Sequence, residues 1–375
     1  MSMNNNKKVG IITFHRSYNY GAALQAYATV QFFASNGYNP VIIDYCPSNL
    51  NKYGSFKALF NDVSNSGSPL PIRAAKALNK SFGNEKRLQA FNRFIDGEMP
   101  LTRKYYSCQE LKNDLPPVDI FCTGSDQVWN NYYTKEFDPS FFLAFAPEGS
   151  TCISIAASFG KETFDQEDMD FIKRELRKYD YLSVRENTGL ELLHKLGYDD
   201  ADLMLDPTLL LQRNIWSSFA SLPTKGDYVL VYQLHGESET TSMAREYAKH
   251  EGLPVRAIVT MPYQCKPGCK HVIAPDVHEW VGLFKEARCV FTDSFHGTVF
   301  SLLFDKQLAV TLPPRFGSRI TSLLNAIGGE SLICSNLDEW SSRQASIDKQ
   351  GIQKALDQLC EQKQTLLGYR LKSLN

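Results

Sequence analysis

The chain contains the stretch Cys289-Val290-Phe291-Thr292-Asp293-Ser294-Phe295-His296-Gly297-Thr298, and an apolar run over residues 299–304 follows it. Residues 289–292 are apolar or β-branched, which predicts a short buried strand. Asp293 and Ser294 are residue types that begin helices, and the apolar run supplies the body of a helix. The stretch therefore predicts a strand, a sharp polar turn and a helix, which is the repeating step of an α/β fold.

His296 lies in this turn, where a ligand can reach its imidazole. A helix N-terminus carries about half a positive charge and unpaired N–H groups, so it favours an anion. His296 is therefore the leading candidate for chemistry on an anionic substrate. At this point the alternative is equally open: Asp293 and Ser294 cap the helix, and His296 is a structural hydrogen-bonding residue.

The same pattern opens the chain. Residues 8–14 predict a buried parallel strand, residues 23–33 a helix and residues 40–45 a second strand. Such a β-α-β unit implies a parallel sheet with a right-handed crossover. The turn after the first strand places Asn19, Tyr20 and Gly21 at the carboxyl edge of the sheet, where these folds bind ligands. Turn chemistry with a helix cap is the alternative explanation for these residues.

A second polar turn follows the predicted strand at residues 118–123. Its side chains suit a sugar, because amide and carboxylate groups hydrogen-bond hydroxyls and an indole can stack on a sugar ring. The residues concerned are Asp126, Gln127, Trp129 and Asn130. The alternative is a capped helix with Trp129 in the core.

Arg185 ends another predicted strand, at residues 181–186. A guanidinium at that position is a good fork for a phosphate or a carboxylate. The alternative is a structural ion pair with Glu186 or another acid.

The α/β pattern repeats after a predicted linker at residues 212–226. Arg315 and Arg319 follow the strand predicted at residues 307–312, so we expect them near His296 at one sheet edge. The run Cys265 to His271 superficially resembles a metal-ligand cluster. A zinc site needs about four well-spaced ligands, so a loop is the preferred interpretation.

Composition limits the classes of function. The 375 residues suggest two domains. Lys and Arg total 40 against 41 Asp and Glu, a net charge of −1, which argues against binding nucleic acid through bulk charge. The nine cysteines form no dense framework, and residues 1–8 lack the apolar core of a secretion signal. We therefore expect a cytoplasmic protein with reduced thiols.

Several stretches together resemble the polysaccharide pyruvyl transferases. They occur in order along the chain, and it is their joint order that carries the resemblance: residues 10–14, 19–22 and 25–27, Gly124–Asn130, Ser183–Glu186, Asp206–Leu210, Asp293–Gly297 and Ser318–Ile320. The resemblance implies an α/β fold of two Rossmann-like domains facing a cleft, as in the glycosyltransferase-B class. It also implies an acceptor-sugar domain at residues 1–211, a phosphoenolpyruvate domain at 212–345, and a C-terminal helix at 346–375 that crosses back to the first domain.

The resemblance further implies transfer of the enolpyruvyl group of phosphoenolpyruvate onto two sugar hydroxyls, forming a pyruvate ketal in surface or capsular polysaccharide biosynthesis. The expected catalytic residues are His296 and Arg185. The expected donor-binding and acceptor-binding residues are, respectively, Arg319, Arg315, Ser294, Gly297 and Thr298, and Asn19, Tyr20, Gly21, Asp126, Gln127, Trp129 and Asn130.

We expect phosphoenolpyruvate as co-substrate and no required cofactor; a divalent metal is not indicated and stays open. The acceptor would be a sugar or a lipid-linked oligosaccharide, with no nucleic-acid partner. Peripheral association with the inner face of the cytoplasmic membrane and a homo-oligomer also stay open. In better-known family members an Arg-Leu pair precedes the histidine, whereas this chain has Ser294 and Phe295, so Arg319 or Arg315 is expected to compensate. The alternatives are a nucleotide-sugar-dependent glycosyltransferase of the same fold and a non-catalytic sugar-binding homologue.

Overall fold

Two parallel five-stranded sheets organise the protein. The computed structural model describes residues 7–47, 85–131, 136–161, 163–221, 226–236, 239–261, 264–313 and 317–374. These residues form two units. The first takes the described residues of Met1–Asn51, Ile95–Leu211 and Asp357–Asn375, and the second takes those of Lys52–Phe94 and Gln212–Leu356. Residues 85–94 thus belong to the second unit, although the sequence places them in the first domain.

The first unit is built from short strands with helical connections. Its strands are β1 (Lys8–Ile12), β2 (Asn39–Tyr45), β3 (Leu101–Tyr105), β4 (Ile120–Thr123), β5 (Thr151–Ser154), β6 (Ser183–Val184) and β7 (Asp202–Leu203). Its helices are α1 (Tyr20–Ser35), residues 95–98 of α2 (described over residues 85–98), α3 (Cys108–Asn113), α4 (Gln166–Leu176), α5 (Asn187–Lys195) and α6 (Pro207–Leu210), with a 3₁₀ turn at Pro139–Phe142. The main sheet has the order β3-β2-β1-β4-β5, and β6 pairs with β7.

The second unit repeats this plan. Its strands are β8 (Val229–Tyr232), β9 (Val255–Val259), β10 (Lys270–Ile273), β11 (Cys289–Thr292) and β12 (Gln307–Val310). Its helices are α7 (Arg213–Phe219), α8 (Thr240–Glu251), α9 (Val277–Glu286), α10 (Phe295–Leu303), α11 (Ser318–Ala326), α12 (Leu337–Arg343) and the start of α13 (Lys349–Ser373), with 3₁₀ turns at Glu330–Leu332 and Gln344–Ser346. The order β10-β9-β8-β11-β12 matches that of the first sheet and is Rossmann-like.

The central strands were predictable because both faces of a parallel sheet are buried, so such strands are continuous apolar runs. Every residue of β8 and β11 is buried. The edge strands β3 and β10 were missed. Arg103 and Lys104 of β3 and Lys270 of β10 are exposed, because an edge strand has one open side and tolerates polar residues.

The sequence of residues 204–210 predicts a short strand with a proline turn, but the structure has no strand there. The strand β7 ends at Leu203, and α6 begins at Pro207 with Asp206 as its N-cap. Proline suits the first helical position because its missing N–H would be unpaired there in any case. The sequence also predicts a short strand at residues 332–335, where the structure has a single bridge between Ile333 and Val310.

Within the C-terminal segment 346–375, the sequence pattern predicts a helix over residues 352–371, and α13 extends this range at both ends. Its C-terminal part packs on the first unit, as expected. The side-chain amide of Gln364 donates to the carbonyl of Leu210 at 2.8 Å, and Arg370 pairs with Asp202 at 2.8 Å. Among the described residues, no helix is both long enough and apolar enough to span a membrane.

Helix α10 lies unusually close to the strand that precedes it. The hydroxyl of Thr292 donates to the carbonyl of Tyr232 at 2.7 Å and accepts the N–H of Ser294 at 3.1 Å. A Cβ placed on Gly297 would overlap this hydroxyl oxygen. Glycine at 297 therefore allows the helix to start directly above the end of β11.

We expect Gly297→Ala to destabilise the protein by about 1–3 kcal/mol, because the added methyl group must displace the short, hydrogen-bonded side chain of Thr292. Thermal unfolding followed by circular dichroism measures the effect. Gly368→Ala in α13 is the matched control. No heavy atom lies within 4 Å of a Cβ at 368, and alanine favours a helix by about 1 kcal/mol over glycine, so this variant should melt no lower than the wild type. Equal melting temperatures for the two variants would contradict the packing argument.

Candidate functional site

The turn between β11 and α10 carries His296 in the first turn of the helix. Ser294 is the N-cap, and its hydroxyl accepts the N–H of Gly297 at 3.3 Å. The hydroxyl of Thr298 donates back to the carbonyl of Ser294 at 3.0 Å. His296 is 8% exposed, and its ring lies edge-on to Phe295 with centroids 5.1 Å apart. Ser294, Gly297 and Thr298 therefore build the turn that presents His296.

Arg319 reaches the same turn from the neighbouring strand connection. It lies in the first turn of α11, which follows β12, and β12 pairs with β11. Its guanidinium carbon lies 5.6 Å from the centroid of the Phe295 ring, a cation–π contact. Phe295 thus contacts both Arg319 and His296. This placement of Arg319 follows the prediction from strand adjacency, whereas Arg315 lies outside the described residues.

Asp293 does not cap α10, contrary to one interpretation of the sequence. Its buried carboxylate accepts the backbone N–H groups of Leu234 and His235 at 2.7 and 2.9 Å. It also lies 3.2 Å from Nδ1 of His235. Asp293 therefore holds the loop that follows β8 against the turn that contains His296. His235 did not stand out in the sequence, because the loop has no motif of its own.

Arg185 is the centre of a buried charge cluster in the first unit. Its guanidinium donates to Asp206 at 2.8 Å, Asp126 at 3.1 Å and the hydroxyl of Ser125 at 3.3 Å. Its side chain is 1% exposed. Burial disfavours the cation, but the charges of Asp126, Asp206 and Glu186 outweigh it and raise the pKa of Arg185. Arg185 therefore forms structural ion pairs with Asp126 and Asp206, which is the alternative that the sequence left open.

The predicted sugar-binding turn at 124–130 is mostly packed inward. Trp129 is fully buried, stacks on Phe142 and donates its indole N–H to the carbonyl of Phe141 at 3.0 Å. A ring in this position has no face open to a sugar, so the alternative that places Trp129 in the core holds. Gln127 and Asn130 are also buried and hydrogen-bond each other at 3.0 Å.

Asp126 and Asn19 keep more contact with solvent. Asp126 is partly exposed and has a φ of +94°, in a region that a non-glycine residue enters only when its surroundings hold it there. Asn19 is exposed and caps α1, accepting the N–H of Ala22 at 3.4 Å. The neighbours Tyr20 and Gly21 are buried. The structure thus places Asn19 after β1 and Asp126 after β4, two adjacent strands of one sheet.

Sequence reasoning missed a second buried cluster at this edge. The carboxylate of Asp44, in β2, accepts from Arg16 at 2.6 and 2.8 Å and lies 2.9 Å from Nε2 of His15. Burial would raise the pKa of Asp44, but hydrogen bonds from His15 and Arg16, together with their charges, hold it well below its ordinary value. Polar residues at the ends of two adjacent apolar strands were the signal that could have revealed this cluster.

Comparison with known proteins supplies a family and a fold. The sequence model of a family described as Polysaccharide pyruvyl transferase matches residues 19–310. This match contains every described candidate residue except Arg319. No curated protein matches the chain in sequence.

Solved structures match across nearly the whole chain. A putative UDP-N-acetylglucosamine 2-epimerase from Listeria monocytogenes has a TM-score of 0.51 at 10% identity, covering 94% of this chain and 90% of that one. S. aureus MnaA bound to UDP has a TM-score of 0.50 at 12% identity, covering 93% and 90%. A UDP-GlcNAc 2-epimerase from Neisseria meningitidis bound to UDP-GlcNAc has a TM-score of 0.52 at 9% identity, covering 98% and 100%. At these identities the likeness concerns the fold alone, and it confirms the predicted glycosyltransferase-B-like class.

Removing Arg185 should cost stability. Arg185→Ala leaves the buried carboxylate of Asp206 without its cation, and breaking a buried ion pair from one side typically costs about 3–5 kcal/mol. Arg103→Ala is the control, because its pair with Asp114 is exposed to solvent and should contribute little to stability. Urea unfolding of both variants measures the difference. An Arg185→Ala protein as stable as the control would show that the cluster does not support the fold.

Acid should destabilise the protein partly through Asp44. Because the folded-state pKa of Asp44 is lowered, its stabilisation is present above the ordinary carboxyl pKa of about 3.9 and is lost as the pH falls toward the folded-state pKa. We expect the free energy of unfolding to fall more steeply from about pH 5 to pH 3 in the wild type than in Asp44→Asn. Urea titrations at each pH measure both slopes, and parallel slopes would contradict the assignment.

Proposed function

The chain belongs to the polysaccharide pyruvyl transferase family, and we propose that it transfers the enolpyruvyl group of phosphoenolpyruvate onto two hydroxyls of a sugar. The product is a pyruvate ketal, and phosphate is released. We assign the reaction to the assembly of a surface or capsular polysaccharide, with a sugar or a lipid-linked oligosaccharide as acceptor. The observation that carries the proposal is the contact of both His296 and Arg319 with Phe295 at one strand end.

This arrangement suits an anionic donor for three reasons. Phosphoenolpyruvate carries a phosphate and a carboxylate, and a guanidinium binds either group through paired N–H donors. The N-terminus of α10 adds partial positive charge beside His296. In this chain Phe295 stands where better-known family members carry a leucine, and its ring provides a contact surface for Arg319. Better-known family members carry an arginine at the position of Ser294, and in this proposal Arg319 provides the positive charge in its place.

The chemistry requires a proton donor and a hydroxyl that attacks. We assign His296 as the acid that protonates the methylene carbon of phosphoenolpyruvate, because an imidazole changes charge near neutral pH. Protonation builds positive charge on the central carbon, and the first sugar hydroxyl adds there. The second hydroxyl then displaces phosphate and closes the ring. Arg319 and the N-terminus of α10 stabilise the charge that accumulates on the leaving phosphate.

We place the acceptor sugar at the first unit, with Asn19 and Asp126 as its contacts. Both side chains reach solvent and carry oxygen acceptors for hydroxyl groups. The strained backbone of Asp126 and its 3.1 Å hydrogen bond from Arg185 fix the direction of its carboxylate. In this proposal Arg185 positions Asp126 and does not contact the donor phosphate, because its guanidinium is buried and already paired with two acids.

Donor identity tests the function. We expect phosphoenolpyruvate alone to raise the melting temperature, and a UDP-sugar to leave it unchanged. With phosphoenolpyruvate and a panel of aryl hexosides bearing free 4- and 6-hydroxyls, we expect phosphate release and a product heavier by one ketal-linked pyruvate. Stabilisation by the UDP-sugar alone would replace this function with glycosyl transfer. Binding of phosphoenolpyruvate without turnover on any glycan would show that the protein is a non-catalytic homologue.

His296→Gln should retain the fold and binding of phosphoenolpyruvate but lose about 10²–10⁴ in turnover, the usual contribution of general acid–base catalysis. Phosphate release at saturating donor measures the loss, and circular dichroism checks the fold. His194→Gln, a change at an exposed histidine of α5, is the matched control and should be fully active. Near wild-type turnover by His296→Gln would remove His296 from the mechanism.

A further inference from the structure

The second unit contains another imidazole whose orientation is fixed by a buried acid. The side chain of Asp293 is fully buried, whereas that of His235 is 37% exposed. One carboxylate oxygen of Asp293 accepts the N–H of Leu234, and the other accepts the N–H of His235 and lies 3.2 Å from Nδ1 of the same residue. The carboxylate of Asp293 thus holds His235 at two points, its backbone N–H and its ring Nδ1.

This geometry determines the tautomer. The carboxylate of Asp293 already accepts two backbone N–H groups, and an ionised carboxylate acts only as an acceptor, so we assign the proton of the third contact to Nδ1 of His235. The neutral ring then has its lone pair on Nε2, the nitrogen turned away from Asp293. An imidazole held by a carboxylate with the opposite nitrogen available is the arrangement that enzymes use for a general base.

The topology brings this nitrogen to the edge that carries His296. Strands β8 and β11 are adjacent and parallel, with Tyr232 opposite Thr292. His235 follows Tyr232 by three residues, and His296 follows Thr292 by four. Both imidazoles therefore lie beyond the carboxyl ends of neighbouring strands, where α/β sheets bind their ligands.

We propose that His235 is the base that takes the proton of the first attacking hydroxyl, with Asp293 as its positioning residue. This inference rests on the proposed function, which assigns an acid but leaves that proton without an acceptor. His296 gives a proton to the methylene carbon, whose π electrons form the new C–H bond. The hydroxyl oxygen bonds to the central carbon while its proton passes to Nε2 of His235.

The second half of the reaction returns both imidazoles to their starting states. The second hydroxyl oxygen bonds to the central carbon, and its proton passes to His296, which became neutral in the first half. The bond from the central carbon to the phosphate oxygen breaks, and both electrons leave with phosphate. His235 gives its proton to that oxygen. One donor and one diol thus yield one ketal and one hydrogen phosphate, with no oxidant or further reactant.

The test uses variants of two histidines, His235 and His250, in the whole 375-residue chain. We expect His235→Gln to lower kcat by about 10²-fold or more while the Kd for phosphoenolpyruvate changes less than about twofold, since a base acts on the transition state and not on donor binding. Adding imidazole to His235→Ala should restore part of kcat. His250→Gln is the matched control, because His250 also pairs through Nδ1 with an acid, Glu251 at 3.0 Å, but lies at the end of α8 and is 84% exposed.

The outcomes separate the two proposals. A wild-type protein that neither binds phosphoenolpyruvate nor releases phosphate overturns both. An active wild type together with an equally active His235→Gln overturns only the role of His235. A loss of activity that follows a weaker Kd, without rescue of His235→Ala by imidazole, makes His235 a donor contact and also overturns its role as the base.

Discussion

A carboxylate buried at the end of a parallel strand must be compensated, and this constraint shapes the carboxyl edges of both sheets. An unpaired buried ion costs several kcal/mol. Asp206 is compensated by Arg185, Asp44 by Arg16 and His15, and Asp293 by the N–H groups of residues 234 and 235. Each of these contacts links residues at or just after the ends of different strands of one sheet.

The two units use this constraint differently. In the first unit the compensating groups are themselves buried: the side chains of Arg185 and His15 are 1% and 0% exposed. These groups make their hydrogen bonds inside the protein, and the one from Arg185 orients Asp126. In the second unit two backbone N–H groups provide most of the hydrogen bonds that the carboxylate of Asp293 accepts. A neutral ring can provide the remaining one, so the other ring nitrogen of His235 stays turned outward. This difference is why we place the proton transfers at the second unit and the hydroxyl contacts at the first.

The α/β class, the central strands and the position of the His296 turn at a sheet edge were predictable, because a strand buried on both faces must be apolar and its polar successors must lie at the sheet edge. The edge strands β3 and β10 were not, since one open side permits Arg103, Lys104 and Lys270. The partners of Arg185 were not predictable either. Asp126 and Asp206 lie 59 and 21 residues away from it, and no local pattern records such a distance.

By itself, the sequence determined the alternation of strands and helices, the order of the motifs that mark the family, and the placement of Arg319 at the turn that carries His296. These features follow from local periodicity and from the rule that parallel strands end at a common edge. Only the tertiary structure decided that Trp129 is core, that Arg185 is paired with two acids, and that Asp293 holds His235 instead of capping α10. Burial and charge compensation depend on residues distant in the chain, so a side chain that suits a ligand equally suits an internal partner until the fold brings one of them within reach.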